Sequence, residues 1–243
     1  YNNRVTDFFT NIKNILKRLI SGKWFPLYHA VFADAKLKEH MILLESRGGV
    51  SVEGNILRIL MELQKEPYCR FHKVLAYKKG CKENLQSRLD AYGIGNVELV
   101  RYASVSYYYD LSVAKYLVND TTFPGRFVKK KGQIYLNTWH GTPLKRMGCD
   151  NVEEICTMGN VQRNLIQADY VLFPNEYMRE RMSQAYLLDN LAQGVILEEG
   201  YPRNTVFFHD EKTEIIHNTL NSEGKQVIVY MPTFRGRVDA LPV

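Results

Sequence analysis

The sequence has little cysteine and no long apolar run, and both shortages restrict what the protein can be. Its four cysteines, Cys69, Cys81, Cys149 and Cys156, show no CxxC spacing and no paired histidine pattern. That leaves neither a zinc motif nor a disulfide framework, so no metal is expected and a reducing compartment is the default. No stretch approaches the ~18 uninterrupted apolar residues of a membrane-spanning helix. No signal peptide is visible, because the N-terminus is polar for several residues and then amphipathic. Internal repeats and low-complexity tracts are missing as well. The basic residues are dispersed and accompany no recognised base-reading motif, so nucleic acid is not expected as a partner.

What remains is material for a folded core. With 243 residues, 45% of them hydrophobic and 24% charged, the chain can build one large or two modest domains. The net charge of +6 and a pI near 9.0 favour anionic partners without choosing among lipid head groups, nucleotides and other phosphates. Between residues 5 and 20, Val5, Phe8, Phe9, Ile12, Ile15, Leu16, Leu19 and Ile20 recur at helical spacing. They run beside Lys13, Lys17, Arg18 and Lys23 and ahead of Trp24-Phe25-Pro26. Such a helix lies either on the body of the protein or in an anionic membrane interface.

From residue 41 onward, short apolar runs alternate with helical patterns. Strands are expected over 41–44, 73–76, 97–100, 116–118, 134–138, 170–173, 195–197 and 227–230. Helices are expected over 53–65, 82–92, 161–167, 177–190 and 211–221. This alternation reads as an α/β fold with a parallel sheet covered on both faces, in which ligands bind beyond the carboxyl ends of the strands. Those ends carry Glu45-Ser-Arg-Gly-Gly49, Asn119-Asp120, Trp139-His140-Gly141, Pro174-Asn175, Gly200-Tyr-Pro-Arg-Asn204 and Met231-Pro-Thr-Phe-Arg235. Singly they are ordinary turns; repeated along one sheet edge they outline a cleft.

The densest stretch is 133–148, where an apolar strand runs into His140 and Gly141. Thr142-Pro143 fits the N-cap and N1 positions of a short helix, whose free N–H groups suit an anion. His140 reads either as a proton acceptor or as a hydrogen-bonded structural histidine, and Lys145 and Arg146 either as anion ligands or as a solvated helix face. Tyr107-Tyr-Tyr109 reads as helix packing with hydroxyls at the surface in preference to a stacking platform. Lys129-Lys-Lys131 reads as solvated surface.

These motifs, in this order, resemble the CDP-glycerol glycerophosphotransferase family of teichoic acid polymerases and primases. The resemblance rests on 116–119 with 129–132, on Asn137-Thr-Trp-His-Gly-Thr-Pro-Leu-Lys-Arg-Met-Gly148 and on Ala168-Asp-Tyr-Val-Leu-Phe-Pro-Asn175. Gly200-Tyr-Pro-Arg-Asn204 and Tyr230-Met-Pro-Thr-Phe-Arg235 extend it to the C-terminal region. It implies a Rossmann-like parallel sheet forming the N-terminal lobe of a GT-B-type fold. On that pattern 1–25 is a basic amphipathic helix, 26–222 the acceptor-side lobe, and 223–243 the start of a donor-binding lobe largely absent from the sequence.

The implied reaction moves glycerol phosphate or ribitol phosphate from a CDP-activated donor to a hydroxyl of an undecaprenyl-linked acceptor. It takes place on the inner, cytoplasmic face of the cell membrane, against an anionic surface, with neither cofactor nor metal. By motif, His140 corresponds to the catalytic general base. Glu45, Ser46, Gly49, Trp139, Gly141, Thr142, Lys145, Asn175, Arg203 and Arg235 are the substrate-binding candidates. One departure is Thr205, where the family commonly has an acidic residue. Two other readings stay open on the residues: a GT-B glycosyltransferase using a sugar nucleotide, and a non-catalytic membrane-peripheral module.

Overall fold

Every residue from Met41 to Glu45 is buried, which a strand achieves only when both of its faces are covered. The computed structural model describes residues 31–125, 127–208 and 213–231, and in it this run forms β1 (Lys38–Glu45) inside a seven-stranded sheet. The other strands are β2 (His72–Tyr77), β3 (Val97–Arg101), β4 (Ala114–Asn119), β5 (Ile134–Asn137), β6 (Tyr170–Phe173) and β7 (Val195–Glu198). All pairings are parallel, and the order is β3-β2-β1-β4-β5-β6-β7. The chain therefore builds outward from β1 on one side, then returns to lay β4 on the other. That reversal opens a crevice at the carboxyl ends of β1 and β4.

Successive side chains of β1 point to opposite faces, and the core divides accordingly. Met41 and Leu43 join residues of α3 (Val105–Val113), α4 (Gly159–Gln167) and α5 (Glu176–Tyr186), among them Tyr107, Leu111, Leu165, Met178 and Met182. Ile42 and Leu44 join α1 (Gly54–Glu62) and α2 (Lys82–Ala91) through Ile56, Leu57, Leu60, Leu85 and Leu89. Two helix starts are capped by side chains. Ser104 Oγ accepts from the Tyr107 amide at 3.1 Å, and Asn175 Oδ1 from the Met178 amide at 2.9 Å.

Internal contacts divide the chain into two units, Tyr1–Arg203 and Asn204–Val243. The second unit contains α6 (Thr213–Leu220). The strand expected over 227–230 does not form: Val227, Ile228, Val229 and Tyr230 are exposed and irregular. A strand needs a neighbour for its amides and carbonyls, and among the described residues none pairs with this run. The helix expected over 5–20 lies outside the described residues.

Two local expectations also change. The Tyr107 hydroxyl is not at the surface but buried, donating to Glu45 Oε2 at 2.7 Å. Two of the three lysines of 129–131 are tied down where solvation is expected, because carbonyl and carboxylate acceptors surround them, while Lys131 is exposed as expected. Lys129 pairs with Asp169, and Lys130 Nζ donates to the Phe32 and Ala35 carbonyls at 3.1 and 2.7 Å. Among the described residues no helix is long and apolar enough to cross a membrane.

Candidate active site

Glu45, Asn119 and Asn137 oppose one another across β1, β4 and β5, so the loops that follow leave the sheet side by side. They meet the segment after β7 around a cavity of about 260 Å3, lined by Arg47, Glu53, Gly54, Asn55, Asp120, Trp139, His140 and Arg203.

The β1 loop is braced by Asp120, which is only 3% exposed. Its Oδ1 accepts from the Arg47 amide at 2.8 Å and its Oδ2 from Ser46 Oγ at 3.2 Å. Ser46 Oγ in turn accepts from the Glu53 amide at 3.3 Å, and Arg47 pairs with Glu53 at 3.3 Å. Burial raises the Asp120 carboxyl above its ordinary range, against the lowering effects of the Arg47 amide, the His140 ring, the Ser46 hydroxyl and the Arg47 charge. Gly49 closes the loop at φ +78°, where an added Cβ would stand 2.8 Å from the Lys78 nitrogen. Only glycine fits so close to the end of β2.

His140 Nδ1 lies 2.7 Å from the main-chain oxygen of Asp120. A carbonyl can only accept, so Nδ1 carries the hydrogen and the neutral ring keeps its lone pair on Nε2. Trp139 reaches this position through a left-handed backbone turn, φ +49°. That conformation costs a non-glycine residue about 1–3 kcal/mol and persists only where the surroundings enforce it. Here the Asn137 side chain holds the Trp139 amide at 2.9 Å, and the indole, 3% exposed, stacks on the imidazole at 4.5 Å between centroids.

Asn55, in the first turn of α1 and 2% exposed, ties the histidine loop to the segment after β7. Its Nδ2 donates to the Trp139 and Thr138 carbonyls at 3.2 and 3.4 Å, and its Oδ1 accepts from the Arg203 amide at 3.3 Å. Arg203 Nη1 donates to the His140 carbonyl at 2.8 Å, and its guanidinium lies 4.8 Å from the Tyr201 ring centroid. Burial pushes the Tyr201 phenol up to about 12, opposed by the Arg203 cation and the Gly141 backbone. The cavity thus combines a fixed imidazole acceptor with two guanidinium groups and two carboxyl groups. That set can take a proton and hold an anion.

Of the residues singled out in the sequence, His140, Trp139 and Arg203 line this cavity. Gly141 adjoins it, with an added Cβ 3.8 Å from Arg203 Nη2, and Ser46 and Gly49 shape the β1 loop. Glu45 lies beneath, fully buried against Tyr107, and Asn175 caps α5. Thr142 is exposed, and Lys145 lines a separate cleft. Arg235 lies outside the described residues.

The short helix expected at Thr142-Pro143 is not formed: 141–147 is irregular and the next helical turn is Gly148–Asp150. Gly148 sits at φ +57° with its Cα pressed on α5, so close that a Cβ would be 2.1 Å from the Ala185 carbonyl. Reaching that contact draws the segment out of helical geometry. Asn55 is not among the site candidates of the sequence, where Asp120 reads only as a turn residue. The available signal for Asn55 is an amide on the apolar face of a helix, beside Ile56, Leu57 and Leu60.

The sequence model of the CDP-Glycerol:Poly(glycerophosphate) glycerophosphotransferase family matches residues 27–240. The teichoic acid poly(glycerol phosphate) polymerase of Staphylococcus epidermidis is 30% identical over 246 residues, which is 96% of this chain and 32% of that protein. The teichoic acid glycerol-phosphate transferase of Staphylococcus aureus is 28% identical, over 92% of this chain and 57% of that protein. Among solved structures, the wall teichoic acid polymerase TagF, in a histidine variant soaked with CDPG, superimposes with a TM-score of 0.70 at 29% identity. The match covers 95% of this chain and 57% of that one. The chain therefore spans about a third to just over half the length of the curated relatives it matches.

Proposed function

Because the chain belongs to the CDP-Glycerol:Poly(glycerophosphate) glycerophosphotransferase family, we propose that the His140 cavity is where an acceptor hydroxyl is deprotonated for polyol-phosphate transfer. One observation carries this reading: the hydrogen bond from Nδ1 to the Asp120 carbonyl, which sets the lone pair on Nε2 in a ring that lines the cavity.

In the proposed reaction the acceptor oxygen bonds to the β-phosphorus of CDP-glycerol or CDP-ribitol and its proton passes to Nε2. The bond from that phosphorus to the bridging oxygen breaks, and CMP leaves with the electron pair. A positioned base of this kind contributes ~10²–10⁴-fold in rate. As the ring becomes cationic, the Asp120 carbonyl continues to accept at Nδ1 and the nearby carboxyl group stabilises the charge. Arg203 and Arg47 are the cations at hand to balance the phosphoryl charge, and Trp139 shapes the approach, with Gly141 beside Arg203. The acceptor we propose is undecaprenyl-linked and met at the inner face of the cell membrane. The names of the relatives support the reaction class, and the CDPG soak of TagF supports the donor.

The assay follows CMP released from CDP-glycerol by the intact gene product in the presence of a lipid-linked acceptor. His140→Ala should lower release by ~10²–10⁴-fold while leaving the fold unchanged. Undiminished release from a folded variant would remove His140 from the chemistry, and release of UDP from a sugar nucleotide in place of CMP would overturn the donor assignment.

A further inference from the structure

Beyond the histidine cavity, the segment that follows it borders a second, larger cleft of about 460 Å3, whose walls include Lys145, Arg146, Asp150, Tyr177, Arg181 and Met182. Its size falls within the ~300–1,000 Å3 range of small-ligand sites. Three cations face it against one carboxylate, and Arg146 and Arg181 are both exposed. Met182, 0% exposed, contributes an apolar surface beneath them.

The two walls are locked together. Gly148 is jammed against the Ala185 carbonyl of α5, as described above, and its amide donates to Glu154 Oε2 at 3.0 Å. The loop that carries Lys145 and Arg146 is thus anchored, at Gly148, to the helix that carries Arg181. Arg181 is also placed: its guanidinium lies 5.5 Å from the Tyr177 ring centroid, one helical turn earlier. Guanidinium groups bind phosphate oxygens through two parallel N–H donors, which suits a ligand presenting phosphodiesters. With one face of the Tyr177 ring taken by Arg181, the cleft lacks an open aromatic sandwich for a nucleobase. His140 and Pro143 line the two cavities and stand three residues apart, so at most ~11 Å of chain separates them.

We propose that this cleft is a subsite for the acceptor, holding the phosphodiester-linked polyol chain whose terminal hydroxyl enters the His140 cavity. The proposal rests on the phosphotransfer reading above, and binding measured without donor or turnover tests it separately. The probe is a short synthetic oligo(glycerol phosphate) bearing a fluorophore, titrated with the full chain and followed by anisotropy. Arg146→Gln with Arg181→Gln should weaken binding about tenfold. A charge-matched control, Lys79→Gln with Arg88→Gln on the β2–β3 side of the sheet, should change it less than about twofold. Equal losses in the two double variants would show diffuse attraction to a basic protein and overturn the subsite. Competition by CMP as strong as by unlabelled oligomer would overturn it in favour of a nucleotide phosphate site. If the double variant melts earlier than the wild type, Arg146→Glu alone carries the same test. Loss of oligomer binding in that variant supports the subsite, and unchanged binding rejects it.

Discussion

Replacing Glu45 by glutamine should flatten the dependence of folding stability on pH between about pH 5 and pH 8. The Glu45 carboxyl is fully buried, accepts from the Tyr107 hydroxyl at 2.7 Å, and its Oε1 has no hydrogen-bond partner among the described residues. Burial pushes its pKa from an ordinary 4.5 to about 8; the Tyr107 hydrogen bond opposes that shift and the Asp120 charge adds to it. At neutral pH the folded state therefore keeps a proton that the unfolded chain has released. Where the folded state binds the extra proton, unfolding free energy falls by ~1.4 kcal/mol per pH unit. The favourable situation is complete below about 4.5 and is lost as pH rises towards 8, a total of about 5 kcal/mol over the window.

Glutamine has no proton to lose, and its carbonyl still accepts from Tyr107, so that slope disappears. Its amide places two unpartnered N–H donors where the protonated carboxyl has one O–H, at a cost of about 1–3 kcal/mol relative to that neutral carboxyl. The two curves should then cross, with Glu45→Gln less stable than wild type near the acid end and more stable near the alkaline end. Urea titrations at a series of pH values measure this directly. Asp110, whose carboxyl is pushed to about 6 by burial and the Glu98 charge, adds its own slope to both proteins and drops out of the difference. Parallel curves across the window would show that the buried carboxyl is not held protonated, and the reasoning would fail.

Three further outcomes follow from the geometry of the loops. Gly148→Ala should lower stability by about 3 kcal/mol or more, seen as a lower thermal midpoint, because a Cβ meets the Ala185 carbonyl at 2.1 Å in a left-handed turn. Asn55→Ala leaves the Trp139 carbonyl and the Arg203 amide without their partner. It should reduce the rate of CMP release about tenfold with KM for the donor within about twofold, since the histidine loop loses alignment before it loses ligand contacts. Arg203→Gln should cost roughly 10–100-fold in that rate, and Arg203→Lys should restore only part of it, because lysine supplies charge without the fork that reaches the His140 carbonyl.

Particular elements show why some of this is readable from residues and some is not. β6 is expected over 170–173 and found at Tyr170–Phe173, because an uninterrupted apolar run flanked by turn residues has one good solution inside a covered sheet. His140 is conspicuous for a similar reason, standing where a strand pattern stops. The helix at Thr142-Pro143 fails because local capping chemistry competes with a contact to Ala185, and position 185 leaves no trace in residues 142–148. Asp120 is harder still: its main-chain oxygen is what meets the imidazole, and main-chain atoms have no signature in a sequence. Val227 to Tyr230 has the composition of a strand, yet composition does not provide a neighbour to pair with.

The same main-chain contact bears on how such a site can vary over generations. Every amino acid placed at position 120 brings a carbonyl, so no single substitution there deletes the acceptor that fixes the imidazole tautomer; only a change in the path of the backbone does. Nor does this acceptor gain a proton in acid, as a carboxylate partner would. The tautomer of the base is therefore insulated from the identity of the side chain at 120, while Asn55, Asn137 and Arg203 hold the loop that carries it. The orientation of the base is inherited with the course of β4 and β5 themselves.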